Sequence, residues 1–245
     1  MTESFYEVAY GALPFANPVT LEMVDRVLAP ARLEAGGRAA DLGCGAGAMA
    51  FHLAETHGQH VDAVDASEYM IGRVRARVEA PPRAGSVTPH LLRAEDYLAS
   101  AEPVDLIVVL AATEFVTAAG TRQALFSQLT RALRPGGHLL YGDNFWRRPP
   151  SPELAAVTVP YDSLHQYLLA GEAAGLEPRS VVESDQGAWD EYAWSMARSL
   201  ADWARANPDD PRRETWSHQG RALLHAYLGE ARDRMGFALQ LFRAP

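Results

Sequence analysis

The chain is short of several things, and each shortage closes off a class of function. It holds one cysteine, Cys44. No internal disulfide can form, and a reducing compartment, with the cytoplasm as default, is expected. No stretch approaches the ~18 apolar residues needed to cross a bilayer. The opening residues Met1-Thr2-Glu3-Ser4-Phe5 carry neither the basic segment nor the apolar core of a signal peptide. Neither a leader nor a membrane partner is therefore expected. Positive charge is also scarce: 22 Lys and Arg face 31 Asp and Glu, for a formal net charge of −9. Nucleic-acid binders usually present a basic face, so DNA or RNA is not expected as a partner. Repeats and low-complexity tracts are absent from the 245 residues, and 48% of them are hydrophobic. That is enough to build one large α/β domain, or a domain with a subdomain.

What the chain does have is strand patterns alternating with helix patterns. Residues 1–35 read as an aromatic arm (Phe5, Tyr6, Tyr10, Phe15) followed by a helix from Thr20 to about Leu28. Pro30 and Gly36-Gly37 precede a strand that ends at Asp41-Leu42, and the glycine turn Gly43-Cys44-Gly45-Ala46-Gly47 leads into a helix through His57. Further strands are expected at Val61–Asp65, Val87–Arg93, Val104–Leu110 and His138–Tyr141, with helices starting near Ser67 and Thr121. Pro135-Gly136-Gly137 reads as the turn before the fifth strand, and Tyr161–Ala174 as a helix. A strand at Ser180–Ser184 and a last one at Gly236–Phe242 bracket a helical insert at 186–234. In that insert Trp189, Tyr192, Met196, Leu200 and Trp203 share a stripe, and Asp210 is placed to cap a second helix. Alternation of this kind predicts a parallel sheet covered on both faces, with ligands at the C-terminal strand ends. Asp41, Asp65, Glu95-Asp96, Ala111 and Asp143 fall at such ends and should share one rim.

The glycine turn admits two ligands. Gly43-x-Gly45-x-x-Ala48 with Asp65 downstream fits a permissive dinucleotide fingerprint, which would make the protein an NAD-dependent oxidoreductase. A pyrophosphate, however, wants positive potential at the turn. Asp41 puts a carboxylate there, unfavourable by roughly 1 kcal/mol at ~4 Å in water and more in a protein-like medium. A cationic nucleoside such as S-adenosylmethionine turns that carboxylate into an attraction. It also gives Asp65 a ribose diol and Glu95-Asp96 an adenine to bind.

Those residues resemble the class I S-adenosylmethionine-dependent methyltransferases. Asp41–Gly47 is similar to that family's first motif, Asp65 to its ribose-binding acid, Ala94-Glu95-Asp96 to its adenine segment, and Leu133–Gly137 to its turn before the fifth strand. The resemblance covers about residues 36–145. It implies an α/β, Rossmann-like three-layer sandwich whose seven-stranded sheet is mostly parallel, with an antiparallel last strand and a helical insert. It divides the chain into residues 1–35 and a methyltransferase domain at 36–245, with 186–234 as a substrate lid. It implies S-adenosyl-L-methionine as cofactor and S-adenosyl-L-homocysteine as product, held by Asp41, Gly43, Cys44, Gly45, Gly47, Asp65, Ala66, Met70, Ala94, Glu95, Asp96, Ala111 and Tyr10. The partner is then a small-molecule methyl acceptor. A non-catalytic protein that keeps the adenosyl pocket is the other alternative, and pairing as a homodimer is left open.

Methyl transfer needs mainly orientation, worth roughly 7–11 kcal/mol in favourable cases. A base is needed only if the nucleophile must lose a proton. His165, Glu114 and Tyr10 are the candidate bases. Cys44 reads as filler within the turn. Arg212, Arg213, Arg221, Arg232 and Arg234 form either a solvated face or a site for an acidic substrate group. Asp143-Asn144 resembles part of the metal site of catechol-type O-methyltransferases, but the acid those enzymes carry directly after the fourth strand is replaced by Ala111-Ala112-Thr113. No metal is expected. His52, His57 and His60 read as solvent-facing.

Overall fold

The computed structural model describes residues 4–79, 84–111, 119–156 and 158–245. The chain forms two compact units. One comprises Leu21–Asn144, Asp162–Glu183 and Ala238–Pro245; the other comprises Met1–Thr20, Phe145–Tyr161 and Ser184–Phe237.

The first unit is built on a seven-stranded sheet in the order β3-β2-β1-β4-β5-β7-β6. Its strands are β1 (Arg38–Leu42), β2 (His60–Asp65), β3 (Ser86–Leu91), β4 (Val104–Leu110), β5 (Leu133–Trp146), β6 (Glu177–Glu183) and β7 (Met235–Arg243). β1 pairs in parallel with β2 and with β4; β2 with β3 and β4 with β5 are also parallel, while β6 and β7 are antiparallel. The fold is the expected one. The order reverses at β1, with β2 on one side and β4 on the other, which opens a crevice at their C-terminal ends. The central strands are apolar on both faces: Leu106, Ile107, Val108 and Val109 are fully buried, as a sheet covered by helices requires.

Helices α2 (Leu21–Leu28), α3 (Ala48–His57), α4 (Glu68–Val78) and α6 (Arg122–Arg131) follow the expected alternation, and α5 (Ala94–Ser100) adds a helix that was not expected after the third strand. Several boundaries move: β3 stops at Leu91, β6 starts at Glu177, and β5 runs on to Trp146, so that Asp143 lies within it. β5 begins at Leu133, so Pro135-Gly136-Gly137 lies within it. The C-terminal residues extend the pairing there, with Ala244 N–H donating to Gly137 O (2.7 Å) and Gly136 N–H to Pro245 O (3.2 Å). The helix expected from Tyr161 begins instead at Leu164, because Ser163 and Gln166 form a capping box.

The second unit carries α1 (Phe5–Tyr10), a short α7 (Pro152–Ala155), α9 (Gln186–Ala206) and α10 (Arg213–Ala226); the Leu164–Ala173 helix of the sheet unit is α8. α1 was not apparent in the aromatic arm. It is set by a capping box in which Ser4 accepts from Glu7 N–H and Glu7 accepts from Ser4 N–H. On α9, Trp189, Met196, Leu200 and Trp203 are buried along the expected stripe. Ala9, Met196, Leu200, Trp203, Ala204 and Trp216 form one core, with Phe5, Val8 and Tyr10 packed on it. Asp210 does not cap α10. Its carboxylate is taken by the Arg212 guanidinium (2.7 and 2.9 Å), and the helix starts later, at Arg213.

Candidate cofactor site

The expected cofactor residues of the sheet unit gather where β1, β2, β3 and β4 end. Leu42 closes β1, and Gly43 and Cys44 turn back to donate their N–H groups to Val64 O of β2 at 2.8 and 3.0 Å. Gly43, Gly45 and Gly47 all have left-handed backbones, at φ 76°, 54° and 83°. That conformation costs an L-residue roughly 1–2 kcal/mol, which is why the turn is written in glycine. A Cβ at Gly45 would meet nothing within 4 Å, whereas one at Gly47 would press on Val74 and Phe51 at 3.1 and 3.2 Å. Gly45 thus borders open space and Gly47 serves the packing of α3.

Asp65 ties the turn to the next helix. One carboxylate oxygen accepts from Gly45 N–H (2.9 Å) and the other from Ser67 N–H (2.8 Å). Each oxygen has a second lone pair, so a diol can still be received. Ser67 caps α4 by accepting from Met70 N–H. Ala66 is exposed beside it. Ala94, Glu95 and Asp96 occupy the first turn of α5: Ala94 is buried, Asp96 is exposed and Glu95 pairs with Arg93 at 3.4 Å. Ala111, just past β4, is exposed and sits at φ 57°, an uncommon conformation for a residue with a Cβ. Its N–H donates to Gly142 O (2.7 Å), which fixes the strained residue at the strand end.

Asp41 is 3% exposed, and its Oδ2 has no hydrogen-bond partner among the described residues. Burial pushes its carboxyl up to about 7, opposed by the Ala50 N–H and reinforced by the nearby Asp65 charge. The corner therefore carries less negative charge at neutral pH than two ordinary carboxylates would. An orphaned buried acceptor beside open space at Gly45 suits a ligand with a positive group and N–H or O–H donors. S-adenosylmethionine meets that description better than a pyrophosphate does. Cys44 is buried, and burial raises its thiol far above the ordinary value. This fits filler and not a nucleophile.

His165 is exposed on the first turn of α8. Tyr10 belongs to the second unit, where its ring stacks on Tyr192 at 5.8 Å and 12°. Burial raises its phenol, which makes it a poor base at neutral pH. Glu114 lies outside the described residues. Of the arginines on the insert, Arg212, Arg232 and Arg234 are paired with Asp210, Asp190 and Glu230.

Asp143 corrects the reading of a carboxylate open to the rim. It is 1% exposed and receives Arg122 Nη1 (3.2 Å) and the Tyr141 hydroxyl (2.8 Å). Burial raises it to about 6 despite the arginine. Arg122 also donates to the Tyr141 hydroxyl and to Asp162 (2.8 Å) and lies over the Tyr167 ring at 4.2 Å. Sequence reading missed this cluster. The only available signal was an arginine at the start of a helix whose other inward residues are apolar.

Known proteins share this fold. Residues 39–137 match the methyltransferase domain family. An uncharacterized protein of Escherichia coli, YjhP, is 29% identical over 202 residues, covering 79% of each chain. The 27-O-demethylrifamycin SV methyltransferase of Amycolatopsis mediterranei is 28% identical over 189 residues, covering 73% of this chain and 67% of that one. A structure of an S-adenosylmethionine-dependent methyltransferase from Thiobacillus denitrificans, solved with S-adenosyl-L-homocysteine, superposes with a TM-score of 0.86 at 27% identity over 100% of this chain and 99% of that one. Neither the oxidoreductase nor the non-catalytic alternative finds support among them. Residues 39–137 thus carry a methyltransferase domain, and the fold and whole-length likeness of the chain are those of S-adenosylmethionine-dependent methyltransferases.

Proposed function

We propose that this methyltransferase acts on a small-molecule acceptor and holds its cofactor at the C-terminal ends of β1, β2 and β3. One observation carries the site assignment: a run of left-handed glycines at the strand-order reversal, its middle N–H bound by Asp65. When bound, S-adenosylmethionine supplies a methyl group on an already activated sulfonium leaving group. Main chain at Gly43–Gly47 receives the methionyl end, with Asp41 as the buried acceptor for its positive charge. Asp65 receives the ribose hydroxyls, Met70 and Ala66 flank the nucleoside, and Ala94-Glu95-Asp96 receive the adenine. No general base is assigned, because orientation in a dry site suffices for a nucleophile that has no proton to lose.

The acidic net charge and a relative named for 27-O-demethylrifamycin SV support a small acceptor over a nucleic acid. Recognition of the acceptor is assigned to the arm and insert. Their aromatic side chains offer stacking surfaces, and Trp189 Nε1–H is buried with no partner among the described residues. No described helix is long and apolar enough to cross a membrane, and a lone buried cysteine accords with a cytoplasmic setting.

Calorimetric titration with S-adenosylhomocysteine should saturate, and NAD should give no heat of binding. Methyl-labelled S-adenosylmethionine should place label in the low-molecular-mass fraction of a metabolite extract. Saturable NAD binding without homocysteine-nucleoside binding would overturn the cofactor site, and label confined to macromolecules would overturn the acceptor class.

A further inference from the structure

Asp25, on the exposed face of α2, and His52 and His57, on α3, converge in the sheet unit. Their ligand atoms all lie within 4.8 Å of one another. One carboxylate oxygen, Asp25 Oδ1, faces His52 Nε2 at 2.6 Å and His57 Nε2 at 3.2 Å. The rings meet edge to face, with centroids 5.8 Å apart. The His52 side chain is 10% exposed and that of His57 is 23%, so neither is a freely solvated imidazole. His52 Nδ1 is 3.4 Å from Thr56 Oγ1, an outer contact that orients the ring and leaves Nε2 toward the carboxylate. An ionised carboxylate only accepts. Two imidazole nitrogens aimed at one of its oxygens must therefore either both carry protons or share a cation with it.

We propose that Asp25, His52 and His57 bind a divalent transition-metal ion of the zinc class, with water completing the coordination. Two imidazoles and a carboxylate suit such an ion, and four-coordinate zinc bonds of about 2.0–2.1 Å place ligand atoms roughly 3.3 Å apart. The two carboxylate–imidazole spacings, 2.6 and 3.2 Å, lie close to that value. Magnesium and calcium, which want oxygen ligands throughout, do not suit the set. The site is distinct from the glycine turn: His57 ends α3, about 15 Å along the helix axis from Gly47. At that distance the ion takes no part in methyl transfer. It joins α2 to α3 and so staples the helix before β1 to the helix that follows the cofactor turn.

The test uses the full chain freed of metal with a chelator. Zinc chloride should raise the melting temperature and titrate to one ion per chain, and cobalt should give the visible absorption of a four-coordinate ion. Magnesium should do neither. Asp25→Asn and His57→Gln should each weaken zinc binding by more than the roughly 10–100-fold typical of losing a supporting group. His60→Gln should bind zinc as the unmodified chain does, since the His60 ring faces Ser86 at 2.9 Å and not this cluster. The proposal is overturned if the unmodified chain takes up neither zinc nor cobalt, if both ligand variants bind zinc undiminished, if His60→Gln abolishes binding, or if magnesium stabilises as zinc does.

Discussion

Asp41 and Asp65 stand one strand apart and perform opposite services. Asp65 spends its charge on backbone N–H groups at 2.8 and 2.9 Å, whereas Asp41 is buried with an oxygen that has no partner among the described residues and a carboxyl raised to about 7. An acid whose folded value is raised is held protonated by the fold. Its contribution is fully present below the unfolded value near 4 and is lost as pH climbs through about 7. Asp41→Asn keeps an acceptor and removes the titration. The variant should therefore gain stability relative to the unmodified chain as pH rises from about 4 to 8, by on the order of a few kcal/mol. Asp143 is raised with the same sign, so the difference between the two proteins, and not either curve alone, isolates Asp41. Denaturant unfolding at several pH values measures it, and parallel curves would contradict the burial argument. Asp65→Ala should weaken S-adenosylhomocysteine binding by about 1–3 kcal/mol, the worth of charge-assisted hydrogen bonds. Unchanged affinity by calorimetry would remove the ribose assignment.

At the scale of elements, the turn between β1 and α3 divides its glycines between ligand and fold. Gly45 adjoins open space and Gly47 adjoins Phe51 and Val74. Gly45→Val should thus lose cofactor affinity with a stability cost limited to backbone strain, about 1–2 kcal/mol. Gly47→Val should carry the same strain plus overpacking of roughly 1–3 kcal/mol, and so unfold at clearly lower denaturant. Equal losses of stability would erase the distinction. These elements were legible in the sequence because each is a local pattern. Val104–Leu110 reads as a doubly covered strand, and Asp41-x-Gly43-x-Gly45-x-Gly47 reads as a turn whose occupant carries positive charge. What was not legible depends on partners distant in the chain. Arg122 meets Asp143 across 21 positions and Asp162 across 40; Asp25 meets His52 across 27. Neither periodicity nor spacing registers such encounters, and His52 and His57 alone read as solvated. The α10 start was misread for a related reason: an arginine two residues on took the carboxylate expected to cap it.

For the molecule as a whole, the chain divides into two compact units, and the aromatic content is unevenly shared between them. All 5 tryptophans, Trp146, Trp189, Trp194, Trp203 and Trp216, fall in the arm-and-insert unit, so tryptophan emission reports the unfolding of that unit. Leu200 is fully buried at its centre, and a Cβ built on Gly220 of α10 would lie 3.0 Å from Leu200 Cδ1. Gly220 is the place where α10 comes close to α9. Leu200→Ala opens a cavity there and should lower stability by about 2–5 kcal/mol in the emission-detected transition. Gly220→Ala alone sets helix propensity, worth about 1 kcal/mol in its favour, against a contact tighter than carbon atoms accept, so its net effect is small or unfavourable. In the Leu200→Ala background the obstructing methyl is gone. Gly220→Ala then fills part of the cavity and keeps its helix advantage, so the same substitution should become stabilising. Denaturant midpoints of the four proteins form a double-mutant cycle whose coupling measures the contact directly. Additive effects would mean that the two helices do not meet at Leu200 and Gly220.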